Sequence, residues 1–470
     1  MDPRSRGAEG FTIIEVVVAI SILVVALLAA ALMFENAIVV SGNTRNRVVA
    51  ANLATEQMES VRGMAADPTK FILIPQGQTI FNGATQNVNG VQYTVTQNVQ
   101  FVAQNSSTSS CDSPGSTTGQ IMQVQELVTW PGMGGTKTVR EVTTLAAPVG
   151  VYSSSTGAIA AKVFDSTGAV AQNISVQVAG PTAPAPQQTT SEGCAYFYGL
   201  APGTYTVSVV EGTGVGDQEL ATPTQTASVS VGQTASVQFQ YDTGATITAT
   251  LPSPATVPGA PPYAAGMSLS VANTGLQPYG QFSYPASTTG DTTTSPALFP
   301  YQSGYTVFAG SCTDNNPLGK DTNRNLFYPT AAPTPVSVSP GGSAATTVPL
   351  YPVALHVQNA TAVAVNTTPT AAESSSFAPP YSAVCTTGTA TSSPPTLTLA
   401  TTNATGDSVT ALPLGHWTIQ ATCVKPQAAC PTSNETASLN VWVKPDAVYG
   451  VDGTGASTTA FVGPITMVVS

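Results

Sequence analysis

Nineteen consecutive residues, Val16–Phe34 (VVVAISILVVALLAAALMF), carry no charge, proline or glycine. At ~1.5 Å rise per residue, a helix of this length spans roughly 28 Å, close to the ~30 Å hydrocarbon core of a bilayer. In lipid, a helix satisfies every backbone N–H and C=O of such a segment internally. The run therefore predicts a membrane-inserted helix. It exceeds the ~7–15-residue apolar core of a secretory signal peptide. One carboxylate, Glu15, interrupts the wider apolar stretch from Phe11 to Phe34. A charge costs ~2.5–3.5 kcal/mol at the centre of a spanning helix and less near its end, so Glu15 asks for a compensating partner.

Beyond Phe34, Ala37, Ile38, Val48, Val49, Leu53, Met58 and Val61 recur at roughly helical spacing between Asn, Arg, Gln and Glu. This predicts an amphipathic continuation, with Gly42 as a weak point and Gly63 as a stop. The expected helix covers 11–62, its first half (11–34) transmembrane. At ~1.5 Å per residue it is roughly 75 Å long. Its second half needs a globular head to pack on.

The rest of the chain is built differently. Only 8% of the 470 residues are charged, against a typical ~25%, and Ser, Thr, Ala, Gly and Pro fill the gap. The net charge is -11, with 13 Lys+Arg in all. So few cations do not easily build a stripe that tracks phosphates, so no nucleic-acid partner is expected. Chains rich in Thr, Ser, Val, Gly and Pro form many short strands joined by turns. In residues 71–148, Val91, Tyr93, Val95, Val99 and Phe101 alternate with polar residues. Met122, Val124, Val128 and Trp130 share one face of a second run, broken by Glu126, and Leu127 points the other way. A Gly-rich turn at 131–135 returns the chain as a strand over 136–145, closing a hairpin. Trp130 is expected to pack the sheet on the helix.

The remaining 320 or so residues repeat. TTSEGCAYFYGLAPGTYTVSV from Thr189, TTGDTTTSPALFPYQSGYTVFA from Thr288 and TTNATGDSVTALPLGHWTIQA from Thr401 align. Tyr205-Thr206-Val207, Tyr305-Thr306-Val307 and Trp417-Thr418-Ile419 occupy one place. The spacings of ~100 and ~112 residues match a seven-stranded sandwich. A second shared block (Val229–Gly232 into Ser236–Tyr241; Val336–Ser339 into Thr346–Leu350) runs almost directly into the next repeat, so linkers are short and a rod is expected. The boundaries are 151–242, 243–350 and 351–470, after a head over 63–150. Pro252–Tyr263 and Pro329–Pro335 read as stiff loops.

No enzyme constellation is found: no HExxH, GxSxG, phosphate loop or CxxC pair. Of the two His, His356 is placed on a strand, and His416 at a strand start equivalent to Thr204 and Gly304, a tolerant surface position. No catalytic residue, metal or cofactor is expected. Asp314-Asn-Asn and Asp321-Thr-Asn-Arg-Asn, within Ser311–Asn325, lack the EF-loop pattern and read as polar turns rather than a Ca²⁺ loop. The six Cys are even in number, and 15 pairings exist. Cys385, Cys423 and Cys430 all lie in the third repeat, so one disulfide is expected there: Cys423–Cys430 closing a small loop, or Cys385–Cys423 a larger one.

The segment Gly10-Phe11-Thr12-Ile13-Ile14-Glu15, followed by the apolar run, resembles the processing signal of type IV prepilins. The resemblance implies that 1–10 is a leader, that a prepilin peptidase cleaves between Gly10 and Phe11, and that Phe11 is N-methylated. It also implies that Glu15 pairs with the α-amine of a neighbouring subunit on assembly. Many major pilins have a Pro near the position of Ala31–Met33, which this chain lacks, so it leans toward a minor pilin or pseudopilin. The 71–148 sheet is similar to the small antiparallel sheet of that group. The first repeat, GAIAAKVFD from Gly157 and on through LAPGTYTVSV, resembles the carboxypeptidase-regulatory-like or Cna-B-like prealbumin-type sandwiches. In some Cna-B domains a first-strand Lys, here Lys162, joins an Asn; the last strand Ser236–Tyr241 has no Asn, so no isopeptide is expected.

The fold implied is an α+β pilin-like unit followed by mainly-β tandem Ig- or prealbumin-like sandwiches. The function implied is a structural minor pilin or pseudopilin that joins or primes a type IV pilus-like fibre, with the tip as the place where the extra domains would not crowd a shaft. Its partners are the prepilin peptidase, other pilin subunits and the cytoplasmic membrane, with the C-terminal domains exported to the cell surface. Two alternatives stand beside it: a surface adhesin binding glycan or protein through the repeats, and a pseudopilin of a type II-like secretion or DNA-uptake system.

Overall fold

The computed structural model describes residues 12–71, 73–80, 85–103, 111–112, 120–133, 138–148, 151, 155–252, 261–277, 280–286, 291–321, 323–328, 333–374, 377, 384–385 and 396–470. A long N-terminal helix and a small antiparallel sheet precede a mainly-β remainder. The chain divides into two compact units. Unit 1 comprises Met1–Ala161, Val178–Tyr205 and Ala227–Ser236; unit 2 comprises Lys162–Gln177, Thr206–Thr226 and Val237–Ser470.

Helix α1 (Ile13–Ala65) runs unbroken through Gly42 and past Gly63, ending on Ala66. Neither glycine has a neighbour within 4 Å of where a Cβ would lie, so the helix tolerates them at the usual entropic cost of roughly 1 kcal/mol each. It is one helix long and apolar enough to cross a membrane. Its buried residues begin only at Ala50 and continue through Ala54, Gln57, Met58, Val61 and Ala65, one stripe at helical spacing. Met58 and Val61 are almost wholly buried, each worth about 1.5–3 kcal/mol against exposure.

That stripe lies on the head sheet. After the short α2 (Pro68–Phe71) come β1 (Gly77–Ile80), β2 (Gln86–Val88), β3 (Val91–Ala103), β4 (Gln120–Thr129) and β5 (Val139–Ala146). The spatial order is β1-β3-β4-β5, with β2 also on β3. Strand alternation sends Tyr93, Val95, Val99 and Phe101, and Met122, Val124 and Val128, inward. Trp130 packs beside Tyr93, ring centroids 6.0 Å apart, in a cluster with Ala50 and Ala54 of the helix.

Two polar residues share this inner face. Gln97 and Glu126 sit opposite one another, and Glu141 of β5 follows in register. Gln57 of α1 donates from Nε2 to Gln97 Oε1 at 2.9 Å. Glu126 is fully buried, and neither carboxyl oxygen has a hydrogen-bond partner. Burial first, and the Glu141 charge second, push its carboxyl up to about 8. The folded state thus binds the proton more tightly than the unfolded chain. This contribution to stability is complete below the ordinary carboxyl value and is lost as pH rises toward 8. Glu126→Gln should therefore match the parent near about pH 4 and exceed it at about pH 9 by roughly 3 kcal/mol, a figure reduced for solvent screening. Urea unfolding of unit 1 at the two pH values measures this; equal pH profiles would contradict it.

The first sandwich holds β6 (Gly157–Phe164), β7 (Ser175–Ala179), β8 (Gln187–Gln188), β9 (Cys194–Leu200), β10 (Gly203–Val209), β11 (Gly214–Gly216), β12 (Thr224–Val229) and β13 (Thr234–Thr243). Its sheets run β12-β10-β7-β8 and β11-β13-β6-β9. The second repeat contributes β14 (Thr246–Thr250), β15 (Ser268–Ala272), β16 (Gln281–Pro285), β17 (Thr292–Thr294), β18 (Thr306–Ala309) and β19 (Ser343–Thr347), ordered β17-β14-β19 and β16-β15-β18. The third contributes β20 (Tyr351–Gln358), β21 (Thr370–Glu373), β22 (Thr396–Thr398), β23 (Asp407–Leu412), β24 (Gly415–Cys423), β25 (Glu435–Val443), β26 (Val448–Val451), β27 (Ser457–Ala460) and β28 (Ile465–Val468). They form β23-β20-β28 and β22-β21-β24-β25-β26-β27. In the second and third repeats the first and last strands pair parallel, β14 with β19 and β20 with β28.

The aligned aromatic has one role in all three repeats. Tyr205, Tyr305 and Trp417 are each at most 1% exposed. Each donates to a carbonyl shortly upstream: Tyr205 to Ala201 (2.8 Å), Tyr305 to Phe299 (2.6 Å) and Trp417 Nε1 to Pro413 (3.2 Å). A large ring can be buried at a sandwich corner only if its polar tip finds an acceptor.

Linkers are short: β13 ends at Thr243 and β14 begins at Thr246. Within unit 2 the turn after β11 is received by the second repeat. The Glu219 carboxylate accepts from Phe299 N at 2.8 Å, and Gln218 bonds Gly275 O and Gln277 N. The second and third repeats go further and share one continuous apolar core from Ala245 to Val469. The chain after the Pro-rich segment crosses over, with Ala265 and Thr398 exchanging backbone bonds of 2.9 and 3.0 Å. Residues 253–260 of that segment, and 329–332 of the other, lie outside the described residues.

Candidate functional site

Gly10 and Phe11 lie outside the described residues. Glu15 is placed in the first turn of α1. A carboxylate there is favoured by the orphan N–H groups and the helix dipole. Around it, Ile13, Ile14, Val16, Val17 and onward to Val40 are exposed apolar side chains. An apolar surface of this extent is compatible with burial in lipid or against other apolar helices.

All six cysteines are paired: Cys111–Cys194, Cys312–Cys385 and Cys423–Cys430. Of the two closures considered within the third repeat, the structure has the small one. Cys385 does not pair with Cys423. It bonds Cys312 of the second repeat, because the residues after β18 cross onto the third repeat, where Cys312 and Cys385 form an isolated bridge.

The same crossing produces a buried polar cluster in unit 2, and it corrects the reading of His416 as a surface position. His416 is completely buried, as are Asp314 and, nearly, Asn315 and Glu373. Asp314 Oδ2 accepts from the His416 backbone N–H (2.9 Å) and faces its Nδ1 (2.8 Å); Nε2 faces Gly455 O at 3.0 Å. The imidazole stacks on Trp442, centroids 4.2 Å apart. Trp442 Nε1 donates to Tyr328 OH (3.2 Å), and Tyr328 donates to Asp314 O. Asn315 takes the Cys312 N–H on Oδ1 (2.8 Å) and donates from Nδ2 to Glu373 Oε1 (2.8 Å) and Leu414 O (2.6 Å). Gly415, at φ +125°, makes room: a Cβ there would lie 2.5 Å from Asn315 Nδ2 and 2.9 Å from Glu373 Oε1.

The other polar residues singled out in the sequence are more ordinary. His356 is on β20, half-buried, its Nδ1 2.6 Å from Asp407 Oδ1. In the Ser311–Asn325 stretch, Asp321 Oδ1 accepts from Asn325 N at 2.8 Å and closes a local turn. Lys162 Nζ lies 5.4 Å from the Phe164 ring centroid. A cleft of about 480 Å³ in the second repeat is lined by Asn273, Gln281, Thr306, Thr313, Asn316 and Lys320 among others. Glu373 carries no sequence signal at all: it ends a short strand after two alanines, and nothing local distinguishes it.

No protein-family model and no curated protein matches the chain. Among solved structures it is similar to the Bacillus anthracis TIE protein, at 12% identity, over 78% of this chain and 70% of that one, with a TM-score of 0.19. It is also similar to BcpA, the major pilin subunit of Bacillus cereus, at 9% identity over 67% of this chain and 100% of that one, with a TM-score of 0.17. A third is the pilus adhesin SpaC from Lactobacillus rhamnosus GG, at 13% identity over 84% and 56%, with a TM-score of 0.19.

Proposed function

We propose that the chain is a structural minor pilin or pseudopilin. It is processed by a prepilin peptidase after Gly10, methylated on Phe11, held in the cytoplasmic membrane by α1, and then drawn into a pilus-like fibre. The observation that carries this reading is Glu15, the carboxylate in the first turn of a helix whose following stretch, Val16–Phe34, is apolar and largely exposed. In a bundle of such helices, its charge is compensated by the α-amine of a neighbouring first residue, and the two buried charges then balance. The disulfides support export, since they persist in oxidising compartments. No catalytic role is assigned to the repeats, which would be displayed outward from the pilin-like head.

The test uses the full chain in a host with an intact pilus machinery. Gly10→Val should leave the unprocessed precursor, heavier by the leader. Glu15→Val should be cleaved normally but be at least tenfold depleted from sheared fibres, if an unpaired buried charge partner costs even ~1.4 kcal/mol per step. Normal maturation of the first and normal incorporation of the second would refute the proposal.

The cleft at Asn273 and Gln281 favours a second reading, an adhesin for a hydroxyl-rich ligand such as a glycan. Its volume falls within the ~300–1,000 Å³ of small-molecule sites, and Asn316 and Lys320 line it, whereas Asn273 and Gln281 spend their amide N–H groups on Ser303, Gly304 and Ser311. Glycan-array binding by the full-length protein, lost in Asn316→Trp, separates this reading from a purely structural one.

A further inference from the structure

We infer that Asp314 and Glu373 share one proton, and that with His416 they form a charge-balanced latch fastening the 311–328 excursion of the second repeat to the third repeat. His416 Nε2 faces the Gly455 carbonyl oxygen, which has no proton to give, so Nε2 must carry one. Nδ1 faces Asp314 Oδ2, an oxygen that already accepts the His416 backbone N–H. With both ring nitrogens donating, the imidazolium charge is matched by the Asp314 carboxylate. Buried ion pairs persist when they are bonded in this way.

Two buried oxygens then remain without a partner, Asp314 Oδ1 and Glu373 Oε2. The other Glu373 oxygen is taken by Asn315 Nδ2, and the two carboxyl groups bring oxygens within 4.8 Å of one another. A second negative charge here would have no cation to oppose it. The titratable groups facing the pair are His416, already balanced by Asp314, and the phenols Tyr328 and, behind it, Tyr351. An unopposed buried carboxylate is so unfavourable that the group takes up a proton instead. One proton on Glu373 Oε2, donated to Asp314 Oδ1, gives both orphan oxygens a partner and brings the cluster to zero net charge. Burial first, and the Asp314 charge second, hold the Glu373 carboxyl well above its ordinary range.

A cation is the competing occupant. Cys312 Sγ and the two carboxyl groups offer ligand-type atoms within 4.8 Å of one another. The sulfur, however, is bonded to Cys385 and is no thiolate, the form that ligates metals. The two remaining oxygens fall far short of the ~6–8 oxygen ligands that Ca²⁺ takes. A proton needs only one donor and one acceptor.

The latch makes the joint between the two repeats conditional on pH. Glu373 has a raised folded-state value, so its contribution to stability is complete below the ordinary carboxyl range and is lost as pH rises toward that raised value. Glu373→Gln tests this in the full-length protein, because the glutamine N–H donates to Asp314 Oδ1 without titrating. The urea midpoint of unit 2 should fall from about pH 5 to about pH 9 in the parent, and fall measurably less in the variant. Identical pH profiles would overturn the inference. Should the variant fail to fold, the parent decides alone. Its Glu373 carboxyl carbon should show the chemical shift of the neutral acid at about pH 8, and the shift of an ionised carboxylate would overturn the proposal. In a ¹⁵N-histidine-labelled His356→Asn protein, His416 should show two ring N–H couplings, and a single coupling would contradict the imidazolium half of the latch.

Discussion

Asp314→Ala will destabilise unit 2 by about 3–5 kcal/mol, the cost of removing one partner from a buried charge pair. The substitution leaves the His416 imidazole with no acceptor at Nδ1 and its backbone N–H without the Oδ2 bond. It also leaves Glu373 without the oxygen it faces. Little solvent can enter, since His416 and Asp314 are both fully buried. Chemical unfolding followed by tryptophan fluorescence reads the loss directly, because Trp442 stacks on the affected ring. A loss below about 1 kcal/mol, the value of a single neutral hydrogen bond, would mean that the cluster is not charged.

Removing the Cys111–Cys194 disulfide, by Ser at both positions, will cost unit 1 about 4 kcal/mol. The bridge closes a loop with a sequence separation of 83 residues, and the chain-entropy view assigns a loop of this length a cost of that order. The bond also sits in a packed cluster. Cys111 and Cys194 are buried with Phe101, Met122 and Tyr196, and Gln76 bonds Tyr196 on both sides, through its Oε1 to N (3.0 Å) and its Nε2 to O. Loss of the bridge should therefore expose the seam between the head sheet and β9 to proteolysis before unit 2 is touched. Limited proteolysis with and without reductant checks this. Equal resistance in both conditions would show that packing alone holds the seam.

Much of the architecture is legible in local pattern. The α1 stripe, the inward faces of β3 and β4, and the buried Tyr205, Tyr305 and Trp417 all follow from periodicity or self-alignment, because each depends on residues a few positions apart. Glu15 stands out for the same reason, as a charge in an apolar run. The polar cluster of unit 2 does not show itself this way. His416 lies at a strand start whose equivalents are Thr204 and Gly304, and by repeat logic it reads as surface. It is buried because the 311–328 excursion of another repeat covers it. Cys312 finds Cys385 through that same excursion, a pairing that spacing within one repeat cannot reveal.

From the sequence alone follow the membrane-compatible helix, the short-stranded repeats and the absence of a basic surface. Each of these depends on composition or on short-range periodicity, and the physics acting on them is local: backbone satisfaction in lipid, strand alternation, and net charge. The tertiary structure alone decided which polar groups leave water. Glu126 shows in the sequence only as a break in an apolar face, Asp314 and His416 only as turn and strand-start residues, and Glu373 not at all; their chemistry arises from the low-dielectric surroundings that distant segments build around them.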